Sequence, residues 1–343
     1  MKKILFSAAV LLGLAAALAV TAGCARSGRE ESAAPDFVLT YAENQAEDYP
    51  TTQGAYKFAE LVAARTNGKI QIQVNADGVL GDEKDIIAQM QFGGVDFARV
   101  SLSQLAEFEP KLNVLQLPYL YTGSKHMWSV LEGEIGDDFM RSVEGSNLVA
   151  LSWYDAGARN FYNSRKPIER LEDIRGMKIR VQESELMTDT VELLGATSVP
   201  MTYPDVYSAL QTGEVDGAEN NWPSYESTKH YEVARYYTVD EHTRVPELQL
   251  ISQITWEKLG AEYQKIIRSC AQESAEYERR LWVERERTSE AAARAGGCIL
   301  TELSPEEKAR FQEVVSPVYE KYCADYMDIV NAIISAGDEQ EGT

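Results

Sequence analysis

Along the chain, apolar positions switch repeatedly between the spacing of a strand and that of a helix. Residues 37–41 form a short run of β type. Over 51–66, Ala55, Phe58, Ala59 and Val62 share one helical face, and Ile70, Ile72 and Val74 then alternate with polar residues as in a strand. A helix over 82–92 (Ile86, Ile87, Met90) is closed by Gly93-Gly94, and a strand over 95–100 follows. The pattern restarts with strands at 148–153 and 177–181, a helix at 185–194, a helix at 205–212, a turn at Gly213 and a strand at 215–219. Beyond Ile254 the chain is dominated by helix. Residues 256–294 are rich in Glu, Arg and Ala and contain no Pro, which predicts one very long helix. A short strand at 298–301 and a helix started by Ser304-Pro305 complete the chain. Repeated β-α-β units predict an α/β fold with mixed, mainly parallel sheets and helices on their faces.

The N-terminus follows a different rule. Lys2 and Lys3 precede an apolar run over 4–20, broken only by Ser7, and Thr21-Ala22-Gly23-Cys24 follows. Charge, apolar stretch and small residues in that order predict a secretory signal over 1–23. The ending resembles the lipobox of bacterial lipoproteins, with Cys24 as lipid acceptor, although Thr21 stands where Leu, Val or Ile is more usual. Residues 24–35, without apolar periodicity, read as a flexible tether. The protein is thus expected to be exported and to touch the membrane only through its lipid anchor, facing the periplasm or cell exterior. The folded part, about 300 residues, is long enough for two lobes.

Charge and motifs narrow the chemistry. A formal net charge of −21 repels nucleic acid and anionic membrane, which excludes both as partners. An anionic ligand would be repelled too, so any such ligand requires local Arg residues. Hydrolase, zinc-protease, dinucleotide and P-loop signatures are absent, and His126, His230 and His242 have no Cys or Ser at a telling spacing. No metal or cofactor is implied, and no enzyme. Cys298 and Cys323, in the last strand–helix unit, are expected to form a disulfide, with Cys270 free.

Ligands of open α/β sheets sit beyond the carboxyl ends of the strands. Four predicted strands carry polar groups there: Arg99 with Ser101, Asp155 to Asn160 including Arg159, Arg180 with Gln182 and Glu183, and Asn220-Asn221-Trp222. Glu43, Asn44 and Gln45 follow the first strand. A guanidinium fork meets a carboxylate with two parallel charge-assisted hydrogen bonds. The stretches G-A-R-N-F-Y-N-S (157–164), R-G-M-K-I-R-V (175–181) and A-L-Q-T-G-E-V-D-G-A-E-N (209–220) resemble the DctP-type solute-binding proteins of TRAP transporters.

The resemblance covers the mature chain. It implies a two-lobed clamp with a long helix spanning both lobes, no cofactor, a monomer, and membrane subunits of a TRAP transporter as partners. It gives Arg180 the role of bridging the ligand carboxylate, with Arg159 and Asn220 beside it. Lobe I is then expected over 36–156 plus 246–285, and lobe II over 157–245 plus 286–343. Among organic acids a uronate, D-glucuronate or D-galacturonate, is favoured over a four-carbon dicarboxylate. Acidic groups such as Glu183, Asp155 and Glu43 are costly beside a bound anion unless hydroxyls donate to them. Tyr41, Trp153, Tyr203 and Trp222 are aromatic candidates for covering a sugar ring. Rival classes are an exported enzyme acting on acidic sugars and a sensor lobe serving a receptor kinase.

Overall fold

The computed structural model describes residues 34–341; the signal, Cys24 and nearly all of the tether lie outside the described residues. Among the described residues, eleven strands form two sheets. The first sheet contains β1 (Phe37–Ala42), β2 (Ile70–Asn75), β3 (Phe97–Ser101), β4 (Leu148–Tyr154) and β10 (Glu247–Ser252), in the order β2-β1-β3-β10-β4. The second contains β5 (Ala158–Asn163), β6 (Lys178–Val181), β7 (Thr197–Pro200), β8 (Gly217–Asn220), β9 (Tyr236–Arg244) and β11 (Ile299–Glu302), in the order β11-β9-β5-β8-β6-β7. Each sheet is mixed: β10 runs antiparallel to β3 and β4, and β5 runs antiparallel to β8 and β9.

The apolar pattern does not predict β5, β7, β9 and β10, and every antiparallel pairing involves β5 or β10. In β9 and β5 much of what is buried is polar. In β9, Thr238, Asp240, His242 and Thr243 are all buried, and β5 buries Arg159, Asn160 and Asn163. A pattern search treats such positions as surface.

The helices follow the apolar spacing closely. Pro50–Arg65 buries Ala55, Phe58 and Val62 against Ile267 and Ala271. Full burial of one such large side chain stabilises by roughly 1.5–3 kcal/mol. Asp82 caps Glu83–Gln91 by accepting from the Asp85 amide, and Ser304 accepts from the Glu307 amide at the start of Pro305–Val315. The long helix spans Ala261–Ala295, 35 residues or roughly 50 Å. It begins later than predicted because extended Gly260 separates it from the short helix Gln253–Lys258. Its first half packs on the first sheet's core (Ile267, Cys270, Ala271), its middle on Tyr49 and Ala156 through Trp282, and its end on the second sheet's core through Ala293.

The chain crosses between the sheets at 155–157. Gly157 has φ +61°, and a Cβ there would lie 2.7 Å from Glu286 Oε1 and 3.0 Å from Trp282 Nε1, so only Gly fits under the long helix.

The expected disulfide is not formed. Cys298 packs near Leu300 and Tyr225 in the second sheet's core, Cys323 sits in a separate core with Phe311 and Val318, and all three described cysteines are free thiols. Nearness in sequence does not bring the two sulfurs together.

Candidate functional site

A cavity of about 170 Å³ opens between the two sheets, beyond the carboxyl ends of β1, β3 and β6. That suits one small molecule. Its lining includes Asn44, Gln45, Arg99, Arg159, Arg180, Glu183, Tyr203 and Asn220, as the sequence predicts. Three arginines meet there, 2%, 5% and 2% exposed for Arg99, Arg159 and Arg180. Their partners differ.

Arg180, on β6, donates through Nε and Nη2 to a single backbone carbonyl, that of Met201, at 3.0 and 2.6 Å. No carboxylate among the described residues forms an ion pair with it. Burial, opposed by Glu219 and reinforced by the like charge of Arg159, pulls its pKa below the ordinary value. A desolvated cation without an anion is costly. The nearby Tyr203 hydroxyl is likewise buried without a hydrogen-bond partner.

Arg159 is held rigidly. Its Nε and Nη2 clasp Glu219 on the neighbouring β8, and Nη2 also donates to the Glu219 carbonyl at 2.9 Å. The backbone explains what lies behind. Pairing of β5 with β9 jumps from Arg159–Thr243 to Phe161–Thr238, so residues 239–242 loop out opposite Asn160. Asn160 Oδ1 accepts from the Asp240 and Glu241 amides at 3.1 and 2.9 Å. That loop brings His242 Nε2 within 3.5 Å of Glu219, with Nδ1 2.9 Å from Asp240 and the ring stacked on Phe161. Burial opposes charging of His242, yet Asp240 and Glu219 hold its pKa up at about 9. Against the same burial, Arg159 and His242 hold Glu219 down at about 2.

Arg99, on β3, is saturated. Nε and Nη2 bind Glu43, Nη2 also meets Asn44 Oδ1, and Nη1 donates to Glu83 at 2.7 Å. Glu247 Oε2 lies 3.0 Å from Nη1. The sequence places Arg99 as a further ligand contact; it lines the cavity, where it is also the counter-ion of an acidic wall formed by Glu83 and Glu247.

Other expectations are corrected. Asp155 lies outside the lining: it accepts from Trp128 Nε1 at 3.0 Å and the Gly157 amide at 2.9 Å, fixing the crossover. Trp222 stacks on Tyr237, centroids 3.7 Å apart, in the second sheet's core. Tyr41 and Trp153 are core residues as well, and Glu43 is buried behind Arg99. Sequence reasoning misses Glu83, Glu247, Tyr49 and Ser224. Glu83 looked like an ordinary first-turn acid, and Glu247 opens the unpredicted β10. Tyr49 Oη, 2.9 Å from Ser224 Oγ, and Gln182 Nε2, donating to Ser101 Oγ at 3.1 Å, tie the two sides of the cleft.

Among the described residues, no group of His, Cys, Asp and Glu is arranged to hold a metal ion, and no helix is long and apolar enough to cross a membrane. Two sheets flanking a polar cleft, with a buried Arg that has no ion pair, suit capture of a small anion, and the comparisons give the family. Residues 41–325 match the family described as bacterial extracellular solute-binding protein, family 7, and the chain belongs to that family. A solute-binding protein of Chromohalobacter salexigens is 35% identical over 85% of this chain and 86% of its own. A TRAP periplasmic solute-binding protein of Bradyrhizobium sp. btai1, solved with α/β-D-galacturonate, superposes with TM-score 0.84 at 38% identity, covering 88% of this chain and 100% of that one. Its counterpart from Roseobacter denitrificans, solved with β-D-glucuronate, gives TM-score 0.84 at 40% identity, covering 87% and 99%.

Proposed function

We propose that this chain is the extracytoplasmic binding subunit of a TRAP-type secondary transporter and that it captures a sugar acid, D-glucuronate or D-galacturonate, for delivery to the membrane permease. The observation that carries this reading is the unpaired, buried Arg180 facing a cavity whose other wall is acidic. One carboxylate satisfies Arg180. A second carboxylate, as in succinate, would meet the negative charge that Glu43 and Glu83 together hold in excess of Arg99. Hydroxyl groups instead can donate to an ionised acid and accept from a protonated one. The uronates bound by the Bradyrhizobium and Roseobacter proteins have this division of one carboxylate and several hydroxyls, and they support the same assignment here.

Membership of a solute-binding family supports a protein that binds and releases its ligand unchanged. Lobes over 36–156 with 246–285 and over 157–245 with 286–343 close on it as a clamp, and Cys24 carries the lipid that keeps the monomer at the membrane. Cys24→Ala should release the protein into the soluble exported fraction.

Calorimetric titration against glucuronate, galacturonate, succinate and malate tests the ligand assignment. A uronate dissociation constant near ~1 μM, about −8.2 kcal/mol, is in reach of a few charge-assisted bonds. Succinate or malate binding more tightly than both uronates would overturn the sugar-acid reading.

A further inference from the structure

The acidic wall has more carboxylates than its single cation can serve. Glu43, Glu83 and Glu247 all contact Arg99, and all four groups are buried or nearly so. Like charges this close and this dry are not all ionised together. The hydrogen bonds show which one differs. Glu43 accepts from Arg99 Nε and Nη2 and from the Gln45 amide at 3.0 Å. Glu83 accepts from Arg99 Nη1, from Asn44 Nδ2 at 3.0 Å and from the Ser101 amide at 3.3 Å. Glu247 Oε2 is close to Arg99 but out of alignment with it, and has no hydrogen-bond partner. Glu247 also lines the cavity.

We propose that Glu247 stands in the cavity as a neutral carboxylic acid and donates its proton in a hydrogen bond to an oxygen of the bound sugar acid, making it a specificity-determining residue that reads an acceptor where its neighbours read donors. This rests on the sugar-acid reading of the site. The surroundings agree from every side. Burial pushes Glu247 up to about 8; Arg99 opposes this, Glu83 and Glu43 reinforce it, and Arg159 opposes it more weakly. Tyr49 before the first helix and Glu278 on the long helix also face it, and neither is a cation. Burial raises Glu83 too, but its three donors favour the ionised form there. An anionic ligand adds negative charge and removes water, so binding strengthens the hold on the proton.

The test is calorimetry of the full chain with glucuronate and galacturonate from pH 6 to 9.5, for wild type and Glu247→Gln, with infrared difference spectra of both proteins without ligand. Wild-type affinity should be flat to about pH 8 and then fall about tenfold per pH unit, with one proton taken up per ligand bound. Glu247→Gln, neutral at every pH and still a donor, should stay within a few-fold of wild type at pH 7 and lose the pH dependence. The wild-type-minus-variant spectrum should show a protonated-carboxyl band at pH 7 that is gone at pH 9.5, the raised carboxyls of Glu278 and Glu286 being common to both proteins. A flat wild-type profile, a Glu247→Gln loss beyond about thirtyfold at pH 7, or no such band overturns the proposal. The spectra need no ligand. If no uronate binds at any pH, it is the ligand assignment that fails, and the band still decides whether Glu247 holds a proton.

Discussion

Arg180 and Arg99 make a controlled comparison inside one cavity. Both lie on strands at the edge of the same cleft, both are 2% exposed, and each is charged in a chain of strongly acidic composition. Arg99 is surrounded by Glu43, Asn44, Glu83 and Glu247, whereas Arg180 has one carbonyl. The difference teaches that a buried cation marks a binding site when its anion is missing, not merely because it is buried. Arg99 organises the wall; Arg180 waits for a ligand.

Separating stability from binding is the sharpest way to break this comparison. Arg99→Ala leaves three buried acids around an empty place, and uncompensated buried charge typically costs ~3–5 kcal/mol. Urea unfolding should show a loss of that size. Arg180→Ala removes a charge that has no anion in the free protein, so its unfolding midpoint should stay close to wild type. Its uronate binding should nevertheless weaken by ~2–5 kcal/mol, at least thirtyfold in calorimetry. A variant that keeps its affinity but loses its fold would reverse the two roles.

The apparatus behind Arg159 gives a pH effect. His242 has a folded pKa of about 9 against an ordinary 6.5, so its contribution is fully present below about pH 6.5 and is lost as pH rises through about 9. The size is on the order of 3 kcal/mol. Urea unfolding of wild type should therefore show lower stability at pH 9.5 than at pH 6, and His242→Gln should flatten that difference. Equal slopes in the two proteins would remove His242 from the network. The smallest effect concerns Glu183, half-buried in the lining: Glu183→Gln should weaken uronate binding by a few-fold, about 1 kcal/mol, and leave succinate unchanged. Equal losses for both ligands would deny it a hydroxyl.

How much of this the sequence disclosed depended on the kind of burial. Strands such as β1, β3 and β4 bury apolar side chains, and helices such as Glu83–Gln91 show regular spacing, so both were predicted from pattern. β9 was not, because Asp240 and His242 are buried by pairing with each other, which no periodicity displays, and in β10 the buried Gln249, bonded to Ser152, interrupts an apolar run. Glu247 opens β10 and went unseen with it. Arg159, Arg180 and Asn220 were found because strand ends and motif spacing both pointed to them. Asp155 and Trp222 stood at strand ends too, but a crossover and a stacked core consumed them.

The most direct test of the central claim is a crystal structure of the glucuronate complex. The account predicts the ligand carboxylate within ~3 Å of the Arg180 guanidinium, with hydroxyls directed toward Glu83 and Glu247. A carboxylate lodged against Arg99, with the sugar hydroxyls turned toward Arg180, would contradict it.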